Sequence, residues 1–228
     1  MKYDWIFFDL DNTLMDFSIA SHQSFLQLLA DNGIRNAEAH YPLYEQVNKK
    51  IWRDFEEEKI DAITLRSKRF DDFYRATNIK GLDAWESNRI YLEYVVEYST
   101  MLDGAVELLE TLKDKTNLAI ITNGLKECQR ARMDRLEITD YFKTIVVSDE
   151  IGVAKPQAGF FDFAFKECNF PDKKKVLVVG DSLGSDIKGG NDYGLDTCWI
   201  NPKRKNNTSE YLPNFEIASV KELLPLLS

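Results

Sequence analysis

The sequence predicts an α/β protein: a parallel sheet covered on both faces, with an all-helical subdomain inserted after the first strand. Short apolar runs recur at residues 5–8, 118–121, 145–147, 176–179 and 198–200. Their brevity and lack of polar alternation fit buried parallel strands. Between them lie stretches with helical spacing, Ala105, Leu108, Leu109 and Leu112, then Phe160, Phe161, Phe163, Ala164 and Phe165. Strands alternating with helices imply βαβ units. Residues 17–96 differ, being rich in aromatics, Leu and charge at helical spacing, with no strand pattern.

Taken in order, the first strand, residues 5–8, is followed at once by the insert. Phe25, Leu26, Leu28 and Leu29 make one helical face, Val47, Ile51, Trp52 and Phe55 a second, and Phe70, Phe73 and Tyr74 a third. The remaining strands and their helices come after residue 97, so the expected division is 1–16 with 97–228 for the sheet domain and 17–96 for the helical one. A chain of 228 residues, 44% hydrophobic, can bury a core of this size. Residues 203–207 read as a polar, solvated loop, and Asp149 and Glu150 as a solvated turn or helix start.

A formal charge of -9 argues against a nucleic-acid polymer or an anionic membrane surface as partner, because both would be repelled at long range. The three cysteines, Cys128, Cys168 and Cys198, are widely spaced and show no CxxC pattern, which suggests buried thiols rather than disulfides or zinc. No apolar run approaches the roughly 18 residues of a membrane helix, and a cytoplasmic protein is expected. His22 and His40 fall in the insert without partner ligands and read as surface or packing residues. Nothing in the pattern fixes an oligomeric state.

The most informative residues stand at the end of each strand. Phe7-Phe8 runs into Asp9-Leu10-Asp11-Asn12-Thr13, Ile120-Ile121 into Thr122-Asn123-Gly124, and Val178-Val179 into Gly180-Asp181-Ser182, with Asp186 close behind. Ligands of open parallel sheets bind beyond the carboxyl ends of the strands, so these clusters are expected to meet at one edge. Two unit charges ~4 Å apart repel by roughly 4 kcal/mol at an effective dielectric near ~20. A hard divalent cation relieves that repulsion, and oxygen-only ligands with no nearby His or Cys favour Mg²⁺. The same cation lets an anionic phosphate approach an acidic site.

Asp9-Leu10-Asp11-Asn12-Thr13, Thr122-Asn123, Lys155-Pro156 and Gly180-Asp181-Ser182 with Asp186 resemble, in order and spacing, the four motifs of the haloacid dehalogenase (HAD) superfamily. The resemblance spans nearly the whole chain. It implies a Rossmann-like core, and it likens the helical insert to that superfamily's type 1 cap. It further implies that Asp9 is the nucleophile forming an aspartyl-phosphate and Asp11 the general acid and base, chemistry open to two neighbouring carboxylates. By the same resemblance, Asp9 and Asp181 bind Mg²⁺ through side chains and Asp11 through its backbone carbonyl, while Asp186 is an outer ligand. Thr122 and the Asn123 amide then bind the transferring phosphoryl group, and Lys155 offsets the shared charge. Dehalogenating members lack an acid/base Asp at the position of Asp11, so its presence favours phosphoryl transfer.

Within the superfamily, FDLDNTL, the insert residues Trp52 and Leu65-Arg66-Ser67-Lys68-Arg69-Phe70, and GDSLGSDIKGG resemble the YjjG-like pyrimidine 5'-nucleotidases. That resemblance implies a small phosphorylated metabolite as partner, a nucleoside 5'-monophosphate, with Trp52, Phe70 or Tyr74 against the base and Arg66 or Arg69 at the sugar or phosphate. Aromatics at this spacing also suit the insert's own core. A phosphatase for a sugar phosphate, phosphoglycolate or a sialic-acid phosphate, a phosphomutase and a noncatalytic binding module are the alternatives.

Overall fold

The structure is a computed structural model and describes residues 1–227. It divides into two compact units, Met1–Asp16 with Thr100–Ser228, and Phe17–Ser99. The expected boundary at residue 96 falls inside the last helix of the second unit, which continues to Tyr98.

The first unit is built on six strands: β1 (Trp5–Phe8), β2 (Asn117–Thr122), β3 (Thr144–Val147), β4 (Val176–Gly180), β5 (Asp196–Ile200) and β6 (Phe215–Ile217). They form one sheet in the order β3-β2-β1-β4-β5-β6, and every pairing is parallel. β1 sits between β2 and β4, with Phe8 level with Ile120 on one side and Val179 on the other. The strand order reverses there, and such a switch point opens a crevice beyond the carboxyl ends.

Alternating side chains send each strand's residues to opposite faces. Ile6, Phe8, Leu118, Ile120, Leu177 and Val179 join one buried cluster with Leu108, Leu109 and Leu112 of a helix. Phe7, Ala119, Ile121, Val176 and Val178 join a second with Phe160, Phe161, Ala164 and Phe165. Both faces are therefore covered, as the continuous apolar runs require. Each fully buried Phe of this set contributes on the order of 1.5–3 kcal/mol by transfer from water.

The second unit contains helices α1 (Phe17–Asp31), α2 (Ala37–Glu56), α3 (Ala62–Thr77) and α4 (Ala84–Tyr98). Asp61 and Asp83 cap α3 and α4 by accepting from the backbone N–H of Thr64 and Glu86 at 2.7 and 2.8 Å, each cap worth about 1 kcal/mol. The interior is aromatic: Phe25 stacks on Tyr44 at 4.4 Å, and Phe70 packs against Tyr44, Tyr74 and Tyr91. On α2 the buried face is Tyr44, Asn48 and Ile51, so Val47, Trp52 and Phe55 lie at its margin rather than at its centre.

The first unit also carries α5 (Ala105–Leu112), α6 (Lys126–Arg135), α7 (Ser148–Ile151), α8 (Ala158–Glu167) and α9 (Lys188–Tyr193). A single π-type turn over Leu183–Ile187 precedes α9. Asp149 and Glu150 start α7, and Glu150 pairs with Arg130 at 2.8 Å. The cysteines are buried and none forms a disulfide. His22 lies 2.9 Å from Glu38, and His40 packs edge-on to Phe73. Among the described residues no helix is long and apolar enough to cross a membrane.

Candidate active site

The carboxyl ends of β1, β2 and β4 bring the strand-end clusters together. Asp9 leaves β1 with its N–H bonded to the Val179 carbonyl at 2.9 Å, which fixes it against β4. Asn12 then turns the chain at φ 58, a left-handed conformation that Asn tolerates better than most residues, and its N–H reaches the Met15 carbonyl at 2.7 Å. This turn returns the chain at once, so Asp9 and Asp11 stay at the sheet edge.

Asp9, Asp181 and Asp186 each offer a carboxylate oxygen, and the three oxygens lie within 4.8 Å of one another. Lys155 answers two of them, at 2.8 Å to Asp9 Oδ1 and 2.6 Å to Asp186 Oδ1. Its third proton goes to the Ile121 carbonyl at 2.6 Å. All three ammonium donors are thus engaged, and Lys155 acts on the site through its charge and through Asp9. Asn123 holds it there: the side-chain amide donates to the Lys155 carbonyl and accepts from the Lys155 N–H, both at 2.8 Å. The Asn123 side chain is therefore a brace for Lys155.

Asp186 is placed by close backbone approach. Its Oδ2 accepts from the Ser182 N–H at 3.0 Å, and a Cβ on Gly180 would lie 2.2 Å from that oxygen. Only glycine at position 180 leaves room for the carboxylate. The indole N–H of Trp199 donates to the Asp181 carbonyl at 2.9 Å and steadies the same loop.

Burial raises the Asp9 carboxyl to about 7, Lys155 opposes the shift, and Asp186 and Asp11 add to it. Asp181 is pushed well above the usual carboxylate range by burial and by Asp9, Asp186 and Asp11. Burial draws the Lys155 ammonium downward, but Asp186 and Asp9 outweigh it and hold the group charged. The site thus carries four carboxylates against two cations, Lys155 and Arg132. With all four carboxylates ionised, the excess of two negative charges and the all-oxygen donor set fit one hard divalent cation, which Asp9, Asp181 and Asp186 would hold.

Asp11 is held differently. Its Oδ1 is 2.5 Å from the Arg132 guanidinium and its Oδ2 accepts from Gln129 Nε2 at 3.0 Å, so its carboxylate lies in a separate hydrogen-bonding set. The same Gln129 nitrogen donates to the Thr122 hydroxyl at 2.8 Å. Gln129 and Arg132, both buried on α6, were not among the residues the sequence singled out. The available signal was their three-residue spacing, which puts them on one helix face.

The insert residues Trp52, Arg66, Arg69 and Phe70 all lie in the helical unit. Trp52 is half-buried and meets Phe55 edge-on at 5.8 Å; Arg66, also half-buried, donates to the Ala62 carbonyl at 2.8 Å. Arg69 and Phe70 are fully buried in that unit's own interior, Arg69 bonded to Asn88 at 2.9 Å.

A family model described as haloacid dehalogenase-like hydrolase matches residues 3–194. The chain is 35% identical to the pyrimidine 5'-nucleotidase YjjG of Escherichia coli over 227 residues, covering all of this chain and 99% of that one. It is 32% identical to the pyrimidine 5'-nucleotidase PynA of Streptococcus pneumoniae, over 100% and 96% of the two chains. The magnesium-bound crystal structure of the putative HAD-hydrolase YfnB of Bacillus subtilis superposes with a TM-score of 0.92 at 31% identity, covering 100% and 99%. With the motifs gathered at one sheet edge and the matches running the length of the chain, this protein belongs to the haloacid dehalogenase-like hydrolases.

Proposed function

We propose that the protein hydrolyses small phosphate monoesters through an aspartyl-phosphate on Asp9, with nucleoside 5'-monophosphates of the pyrimidine series as its substrates. The observation that carries this reading is the meeting of Asp9, Lys155, Asp181 and Asp186 at the switch point, with Asp11 and Thr122 joined beside them through one glutamine. The choice of leaving group rests on likeness to YjjG and PynA, which are pyrimidine 5'-nucleotidases.

In this mechanism the Asp9 oxygen not engaged by Lys155 attacks phosphorus, and the bond to the leaving oxygen breaks as Asp11 gives that oxygen a proton. Asp11, now a carboxylate, then takes a proton from water, whose oxygen attacks phosphorus and releases phosphate from Asp9. The Thr122 hydroxyl and the Asn123 N–H donate to the phosphoryl oxygens, and Lys155 favours the charged form of Asp9 that attacks. Asp9, Asp181 and Asp186, with the Asp11 carbonyl, would hold Mg²⁺, which would supply positive charge against the phosphoryl oxygens. Of the insert residues that the sequence offered for substrate, Arg69 and Phe70 are committed to the interior of the helical unit, whereas Trp52 and Arg66 are half-buried.

The test is phosphate release from a panel of 5'-nucleotides and sugar phosphates, with Mg²⁺ or with EDTA, using Asp9→Asn as the blank. Metal-dependent release that favours pyrimidine monophosphates and vanishes in the variant is expected. Release from sugar phosphates alone keeps the mechanism and moves the substrate; no release from any ester overturns the proposal.

A further inference from the structure

α6 has the sequence Lys-Glu-Cys-Gln-Arg-Ala-Arg-Met-Asp-Arg, among the most polar stretches of the chain, yet it buries both a glutamine and an arginine. Gln129 is 2% exposed and Arg132 0%. Burying an amide and a guanidinium costs several kcal/mol unless each finds good partners. Their partners here are reacting groups. Arg132 donates to Asp11 Oδ1 at 2.5 Å and to Gln129 Oε1 at 2.8 Å. Gln129 Nε2 donates to Asp11 Oδ2 at 3.0 Å and to the Thr122 hydroxyl at 2.8 Å.

The direction of each bond is set by the donor inventory. A guanidinium only donates, so its bond to Gln129 must end on the amide oxygen, and this turns the amide nitrogen toward Asp11 and Thr122. The two protons of that nitrogen serve the two acceptors, one each. A threonine hydroxyl that accepts from glutamine keeps its own proton for another acceptor. The loop after β2 is shaped for this arrangement: a Cβ on Gly124 would lie 2.6 Å from both Cγ and Nε2 of Gln129. Glycine at 124 lets the glutamine fold back over the strand end.

We propose that Gln129 and Arg132 are positioning residues for the reaction, tying the Asp11 acid/base to the Thr122 phosphoryl donor through one amide whose orientation Arg132 sets. The inference rests on the roles of Asp11 and Thr122 proposed above. It assigns distinct effects to the pair. Arg132 acts mainly through Asp11, and so on the step that protonates a poor leaving group. Gln129 also orients Thr122, and so affects every phosphate ester. A tie that only fastened α6 to the sheet would not distinguish leaving groups.

The experiment compares the Mg²⁺-loaded full chain with Arg132→Met, Arg132→Lys, Gln129→Met and Gly124→Ala on p-nitrophenyl phosphate, whose leaving group departs without a proton, and on uridine 5'-monophosphate, whose leaving oxygen needs one. First-turnover rates are read by rapid quench. Arg132→Met should slow the first turnover of the nucleotide by roughly 10–100-fold, part of the usual worth of general acid catalysis. Its first turnover of p-nitrophenyl phosphate should fall by a clearly smaller factor, the part carried through Gln129 and Thr122, and Arg132→Lys should recover part of the nucleotide loss. Gln129→Met should raise KM for both esters as well as slow the nucleotide step, and Gly124→Ala, which displaces the same side chain, should behave likewise. Equal losses on both esters, or no loss in any variant, would overturn the inference. If Arg132→Met does not fold, the near-isosteric Gln129→Met and Arg132→Lys carry the comparison. Wild-type turnover that Asp9→Asn abolishes is the control: its absence overturns the proposed function and this inference with it, whereas equal losses with the control intact overturn this inference alone.

Discussion

Two regions of the molecule bury charge, and they balance it in opposite ways. At the sheet edge, Lys155 meets Asp9 and Asp186, and Arg132 meets Asp11, so each cation faces carboxylates and negative charge is left over. In the helical unit, Arg69 is equally buried but meets neutral groups: the Asn88 and Asn48 amide oxygens at 2.9 and 3.5 Å, and the Tyr91 ring with its centroid 4.9 Å away. The asparagine and aromatic partners lie on α2 and α4, so Arg69 fastens three helices together and leaves no reactive group unbalanced. The difference teaches where to look for chemistry. A buried cation satisfied by amides and ring faces is a structural tie; a buried cluster with an unmatched charge still needs a ligand.

The comparison can be broken most decisively at Asp9. Asp9→Asn should lower kcat by about 10⁴-fold or more, the scale on which losing a covalent nucleophile registers, and steady-state phosphate release reads it. Next in size, Lys155→Met leaves the Asp9 and Asp186 carboxylates buried without their cation and should cost about 3–5 kcal/mol of stability near neutral pH, measured by urea unfolding in EDTA. A cost below that of an ordinary surface substitution would mean that the sheet-edge charges are not coupled.

The pH dependence sharpens the same point. The Asp9 carboxyl is raised to about 7 from an ordinary value of 3.8, so the folded, metal-free protein binds a proton that the unfolded chain has lost. Its contribution to stability is full below about pH 4 and is lost as pH rises through about 7. Asp181 shifts in the same direction. Thermal unfolding in EDTA should therefore show stability falling between about pH 4 and pH 7 from these groups, and the stabilisation by added Mg²⁺ should grow over that interval. A Mg²⁺ effect that does not change with pH would contradict the assignment.

The smallest effect is expected in the helical unit. Arg69→Met strands the Asn88 oxygen and should cost about 1–3 kcal/mol, with turnover of p-nitrophenyl phosphate unchanged. Replacing Asn88 by Leu in the same protein should recover part of that cost, because the stranded Asn88 oxygen is then gone while Asn48 remains. Loss of p-nitrophenyl phosphate turnover in Arg69→Met would erase the contrast between the two regions.

Much of this was legible in the sequence because the strands are continuous apolar runs that end in unusual residues. Five strands could be read from apolar runs, and the structure extends most of them by one or two polar or small residues, such as Asn117, Thr122 and Gly180. β6 was not legible: Phe215-Glu216-Ile217 is three residues long and comes after a polar loop, too short for a period to show. The end of the insert was misplaced by three residues because Glu97 and Tyr98 continue the helical pattern before Ser99 ends it. Gln129 and Arg132 stayed hidden for a physical reason. Burial is usually signalled by an apolar stripe, and here the buried face of α6 is Cys128, Gln129, Arg132 and Met133, in which two polar side chains are buried against polar partners beside two apolar ones. Only the fold reveals those partners, since Asp11 stands 121 residues from Arg132 in the chain.

The central claim, a covalent phosphoryl-enzyme on Asp9, is tested most directly by quenching the enzyme with acid during turnover of uridine 5'-monophosphate and reducing it with borohydride. The account predicts that Asp9, and no other carboxylate, is converted to homoserine, and that the product disappears when substrate or Mg²⁺ is left out. Turnover with Asp9 intact, or with the modification on Asp11 or Asp181, would contradict it.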